Sequence, residues 1–193
     1  MTQLILATHN DHKAKEFRDI LPQYSVQTLA DLGHDDEIKE TATSLEGNSF
    51  IKAETVFKRY GNVVISDDSG LEVDALNGDP GLYTARYAGN KATYEDNMQK
   101  LLQNLEGIES HLRTARFRTI ISYVDGINDF HVEGVLEGKI TKSKVGSNGF
   151  GYDPIFFSEK FNMTLAQMNN EQKNNISHRG LAIKKFVTKI RDL

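Results

Sequence analysis

The feature that most narrows how this chain can fold is Ser66-Asp67-Asp68-Ser69-Gly70, two adjacent carboxylates directly behind the β-branched run Val63-Val64-Ile65. The run predicts a β-strand, Gly70 predicts a tight turn after the acids, and Leu71 to Val73 predict a resumed extended path. Two acids at a strand end repel one another unless a cation lies between or beside them. The chain has no cysteine and only six histidines, scattered without ligand spacing. Its hard oxygen donors therefore favour magnesium, with manganese as a substitute, over zinc. In isolation, Asp-Asp-Ser-Gly is more often a solvated turn. The rest of the chain decides between the two.

A length of 193 residues, 38% hydrophobic and 26% charged, is read as one domain spanning 1–193. A formal net charge of −4 gives no reason to expect nucleic acid across a broad surface, while a local basic pocket for a small anion stays open. Arg113, Arg116 and Arg118 are read on different strand faces, with the lysines dispersed. The absence of cysteine removes disulfides, thiolate zinc and thiol catalysis. No stretch approaches the roughly 20 apolar residues of a membrane span, and the start is too short in apolar residues for a signal peptide. A cytoplasmic protein is expected, with no membrane partner.

Leu4 to Leu6 predict a strand, and Ala7-Thr8-His9-Asn10 turns into a helix with Ala14, Phe17 and Leu21 on one face, ended by Pro22. The junction holds Thr8, Asn10 and Lys13. Polar side chains and free amides at a helix start, with a lysine one turn in, suit phosphate, although an Asn cap beside a surface lysine is the commoner use of such residues. Tyr24 to Leu29 predict a second strand and 31–41 an acidic connector. Ser44 predicts a cap for a helix reaching Tyr60, with Phe50, Ala53 and Phe57 inward and Gly61 as its stop. Asn48 and Lys52 share a face of that helix. Met98, Leu101, Leu102 and Leu105 predict a further helix, 113–124 and 129–137 an antiparallel hairpin, and 146–154 a glycine-rich loop. A short strand Ile155 to Phe157 and a final helix, with Ser177 as its cap, complete the chain. Gly134 to Ile140 imitates a P-loop but is one residue short and lies in a strand pattern.

Four weak signals stand in one order: Thr8-x-Asn10-x-x-Lys13, Asp67-Asp68-Ser69-Gly70, Gly149-Phe-Gly-Tyr-Asp-Pro154 and Ser177-His178-Arg179-Gly180. Together, and with Pro80 to Gly89, they closely resemble the inosine triphosphate pyrophosphatase family of Ham1-like proteins, over nearly the whole chain. The resemblance implies an α/β fold, an elongated curved mixed sheet flanked by helices, with two lobes around a central nucleotide cleft, and a homodimer. It implies magnesium-dependent hydrolysis of purine nucleoside triphosphates such as ITP, dITP and XTP to monophosphate and pyrophosphate.

By position, the resemblance gives Thr8, His9, Asn10, Asp11, His12 and Lys13 to the triphosphate. It gives Lys52 to phosphate, Glu40 and Asp68 to the metal, and Asp68 to the role of general base. Ser69 would touch substrate, and Phe150 would stack on the purine. Gly151, Tyr152, Asp153, Lys173, His178 and Arg179 would frame base and sugar. Family members often carry an acid just before the asparagine matched by Asn48 and an alanine after it. Here Gly47 and Ser49 stand there, with Glu46 one place earlier. A Maf-like pyrophosphatase of other nucleotides, and a nucleotide sensor without catalysis, are the alternatives. A substrate panel separates the first, and binding without hydrolysis would mark the second.

Overall fold

In a computed structural model that describes residues 2–193, the chain divides into two compact units. One comprises 1–68, 119–134 and 178–193, the other 69–118 and 135–177. The strand order is β2-β1-β3-β5-β6-β7-β8 in an open mixed sheet, with β4 paired on β3. These strands are Thr2–Leu6 (β1), Tyr24–Thr28 (β2), Val64–Val73 (β3), Pro80–Gly81 (β4), Thr114–Val124 (β5), Asp129–Ile140 (β6), Phe156–Ser158 (β7) and Met163–Thr164 (β8). The helices are Asp11–Ile20 (α1), Leu45–Tyr60 (α2), Tyr94–Asn104 (α3), Asn170–Ile176 (α4) and His178–Ile190 (α5).

In the first unit β1 pairs in parallel with β2 and β3. Side chains alternate across a strand, so Leu4 and Leu6 enter one core with Phe17 of α1 and Ile183 and Phe186 of α5. Ile5 and Val64 enter a second core with Ala53 and Val56 of α2. The sheet thus has α1 and α5 on one face and α2 on the other. In the second unit Leu71, Val73, Leu101, Phe117 and Phe156 share one apolar core.

Local chemistry sets several boundaries. Ser44 accepts from the Gly47 amide at the head of α2, and Gly61 ends that helix at φ 67°. Thr93 and Asp96 form a reciprocal capping box for α3.

The structure corrects several expectations. The acids are not at a strand end: β3 runs unbroken from Val64 to Val73, and Gly70 makes no turn. Pairing with β1 at one end and with β4 at the other holds the segment extended through its turn-prone centre. Phe50 is exposed, and the buried face of α2 is instead Leu45, Asn48, Ser49, Lys52, Ala53 and Val56. Arg116 and Arg118 share a face of β5, where Glu72, Asp74 and Glu137 pair with them. Ser177 stands directly before α5, where a cap is expected, and also closes α4, a helix whose polar sequence carried no apolar period.

Candidate functional site

The first unit gathers the ionisable groups of Thr8 to Lys13, Glu40, Lys52, Asp67, Asp68 and Arg179. On β3 the two acids face opposite sides of the sheet, because successive strand residues alternate. Asp67 points to the α1 and α5 face. There its Oδ2 accepts from Lys13 Nζ at 3.0 Å and from Arg179 Nε and Nη2 at 3.2 and 3.1 Å. Arg179 Nη1 donates to Glu16, so Glu16, Asp67, Lys13 and Arg179 form two cations balanced by two anions. Burial alone would raise the Asp67 carboxyl, but the charges of Lys13, Arg179 and Lys52 override it and hold it well below the usual range. Asp67 is a fixed anion.

Asp68 belongs to the α2 face. Its Oδ1 lies 3.4 Å from Lys52 Nζ, which also donates to Glu40 Oε1 at 2.9 Å and to the Asp67 carbonyl at 2.8 Å. Burial pushes Asp68 above the ordinary carboxylate value, and the lysines at 52 and 13 only partly offset this. The carboxylates around Lys52 push its ammonium up despite its burial, so that group stays charged. Adjacent residues thus have opposite tendencies: one locked as an anion, one more basic and able to take a proton.

Local packing positions these groups. Ser49 and Ser66 exchange hydrogen bonds between α2 and β3, which holds Lys52 over the acids. Asn48 accepts from the Ala42 amide and so anchors the connector that carries Glu40. A Cβ at Gly47 would stand 2.5 Å from the Ala42 Cβ, so the glycine lets that connector close on the helix. The departures at 47 and 49 therefore have local structural uses.

At the β1–α1 junction Asn10 Oδ1 accepts from the His12 and Lys13 amides, at 3.0 and 3.2 Å. Those two amides are satisfied by the Asn10 cap, the commoner use of such residues at a helix start. Thr8 Oγ1 accepts from the Asn10 amide. His9 Nε2 lies 2.7 Å from the carbonyl oxygen of the buried His34, whose ring meets Tyr60. Asp11 and His12 are exposed on the first turn of α1. His178 is buried at the head of α5. Its carbonyl would lie 2.0 Å from a Cβ at Gly134. Sequence reasoning missed Glu16. Its spacing of three from Lys13, next to Phe17 on the inward face of α1, was the available signal.

The second unit holds Ser69 on β3 and a cluster built on Asp153. The Asp153 carboxylate accepts from Lys173 Nζ at 2.6 Å and from the Phe150 amide at 2.8 Å. Lys173 Nζ also lies 4.6 Å from the Phe150 ring centroid, and the Tyr94 ring centroid lies 6.0 Å from it, tilted by 46°. Tyr152 is buried and donates to the Thr84 carbonyl. Gly149 and Gly151 have φ of 75° and 63°, the left-handed conformation this tight loop requires.

Glu40 and Asp68 present two hard oxygens converging on one cationic point, a donor set that suits magnesium. Among the described residues no three His, Cys, Asp or Glu side chains converge. Magnesium usually takes one or two carboxylates and completes its shell with water and substrate phosphate, so the set fits.

The Ham1 family model matches residues 4–189. The chain belongs to the Ham1 family. It is 47% identical over 189 residues to a dITP/XTP pyrophosphatase of Caldanaerobacter subterraneus subsp. tengcongensis, covering 96% of this chain and 94% of that one. It is 46% identical to a dITP/XTP pyrophosphatase of Bacillus subtilis, covering 96% of each. The solved Ham1 protein of Staphylococcus aureus superposes with a TM-score of 0.89 at 40% identity, covering 99% of both chains. The HAM1 protein of Coxiella burnetii also gives 0.89, at 34% identity over the full length of both.

Proposed function

We propose that this protein hydrolyses noncanonical purine nucleoside triphosphates (ITP, dITP, XTP) to the monophosphate and pyrophosphate, with magnesium. The observation that carries this reading is the split of the adjacent acids, Asp67 fixed by Lys13 and Arg179 and Asp68 left basic beside Lys52 and Glu40. The naming of the relatives supports it.

In this reading Glu40 and Asp68 hold the metal, which when bound supplies charge neutralisation and a more acidic water. Asp68 accepts the proton of the attacking water as it approaches phosphorus. Lys52 and Lys13 donate to phosphate oxygens. Burial lowers the Lys13 ammonium, Asp67 opposes that shift and holds Nζ in place, and Glu16 and Arg179 fix Asp67 where it does so. The Phe150 ring offers a stacking face to a purine, with Lys173 held beside it by Asp153. A phosphoanhydride needs little covalent help, so positioning and charge suffice. The resemblance gives Arg179 to the base and sugar, and its Nε, Nη1 and Nη2 donate to Asp67 and Glu16.

Purified protein is incubated with magnesium and, separately, ITP, XTP, GTP, ATP and dTTP, and the products are identified. Monophosphate and pyrophosphate from ITP and XTP, with GTP and ATP nearly untouched, is the expected result. Preference for dTTP, release of single phosphates, or no turnover would overturn the reading. The resemblance also supports a cytoplasmic homodimer, and light scattering of the purified protein tests the dimer. Among the described residues no helix is long and apolar enough to cross a membrane.

A further inference from the structure

We infer that Lys52 is a resident stand-in for the divalent cation, holding Glu40 and Asp68 together until metal arrives and then turning its ammonium to phosphate. The inference rests on the reading of Glu40 and Asp68 as the metal's carboxylates. Three observations carry it. First, the Lys52 ammonium lies 2.9 Å from Glu40 Oε1 and 3.4 Å from Asp68 Oδ1, so one positive charge bridges both acids. Second, the cluster is partly shielded from water: the Lys52, Asp68 and Glu40 side chains are 11%, 14% and 27% exposed, where two carboxylates without a cation would repel. Third, Nζ also donates to the Asp67 carbonyl at 2.8 Å, a contact independent of either carboxylate.

A divalent ion held by Glu40 and Asp68 would stand within a few ångströms of the Lys52 ammonium and compete with it for their oxygens. Magnesium draws its ligand oxygens to about 2.1 Å, closer than any ammonium contact, and two like charges a few ångströms apart repel. Lys52 must therefore yield the carboxylates when metal binds. The Asp67 carbonyl keeps Nζ from leaving, and two of its three N–H donors become available. A triphosphate that arrives with its metal supplies acceptors for them. The lysine thus opposes metal binding in the absence of nucleotide and favours it in its presence.

Magnesium alone is titrated calorimetrically into metal-free protein, without nucleotide, for the wild type, Lys52→Met, Glu40→Gln and the double variant. Lys52→Met is expected to bind magnesium more tightly by roughly tenfold or more, because a like charge has been removed. Adding Glu40→Gln should cancel that gain. Equal or weaker magnesium binding by Lys52→Met overturns the inference. A lysine that is only structural gives no gain in affinity. If Glu40→Gln leaves magnesium binding of the otherwise native protein unchanged, the metal reading itself falls with it. Should Lys52→Met fail to fold, acylation of Lys52 in the native protein, followed by mass spectrometry, reads the same event. Magnesium should increase labelling of Lys52, and an unchanged rate overturns the proposal.

Discussion

At the scale of single residues, the separation of Asp67 from Asp68 organises the chemistry. Asp68→Asn keeps size and hydrogen bonding while removing the base. Turnover of ITP should fall by about 10³-fold, the usual worth of a positioned base, with the circular dichroism spectrum unchanged. Full activity in that variant would remove Asp68 from the mechanism. Arg179 has a structural burden that can be measured separately. Its guanidinium neutralises Asp67 and Glu16 in a place that is 2% exposed, so Arg179→Ala leaves two buried acids short of a counter-charge. Denaturant unfolding should show a loss of about 3–5 kcal/mol. Asp67, Asp68 and Lys13 could be picked out from sequence because acids behind a β-branched run and a lysine behind an Asn cap are local patterns. Glu16 offered only its spacing from Lys13, since a glutamate on a surface-type helix looks solvated until the arginine at 179, distant along the chain, is known to meet it.

At the scale of elements, helix ends were legible and helix faces less so. Ser44 and Gly61 bound α2 because caps act through the nearest few residues. The inward face of α2 was misread at Phe50, because Ser49 pairs with Ser66 and so turns a polar side toward the sheet. The continuity of β3 was also hidden. Asp-Asp-Ser-Gly favours a turn locally, and pairing with β1 and β4 outweighs that preference. The approach of α5 to β6 depends on Gly134, where an added Cβ would lie 2.0 Å from the His178 carbonyl and 2.4 Å from the Ala182 nitrogen. These are backbone atoms and cannot rotate aside. Gly134→Ala should cost about 3 kcal/mol, read as a lower melting temperature, because overpacking forces the helix away from the strand. A melting temperature equal to wild type would mean that α5 does not sit so close.

At the scale of the whole molecule, the buried charges shape how stability follows pH in metal-free protein. Asp67 titrates below its unfolded value of 3.8 when folded, so its ionised form is favoured by folding. That contribution is fully present above about pH 4 and is lost as pH falls through the folded value. Asp68 has the opposite sign. Its folded value lies above 3.8, so acidification through that region favours the folded state at this residue. Stability measured with chelator present should therefore decline steeply only below about pH 4. Asp67→Asn should be less stable at neutral pH and flatter in acid, and a wild-type-like acid profile in that variant would refute the assignment.

The alternation along β3 also imposes a rule of parity on any change in chain length. Asp67 and Asp68 owe their different surroundings only to being odd and even steps along one ladder that begins at Val64. Inserting or deleting a single residue between Val64 and Asp67 would turn each acid to the opposite face: an insertion would put Asp67 in the slot beside Lys52, and a deletion would put Asp68 in the slot beside Lys13 and Arg179. An insertion of two would restore the face of each acid, though each would stand about 6.6 Å further along the strand. The chain can tolerate even-numbered length changes there more readily than odd ones, so the division of labour between two identical side chains is stored in a count rather than in any residue's identity.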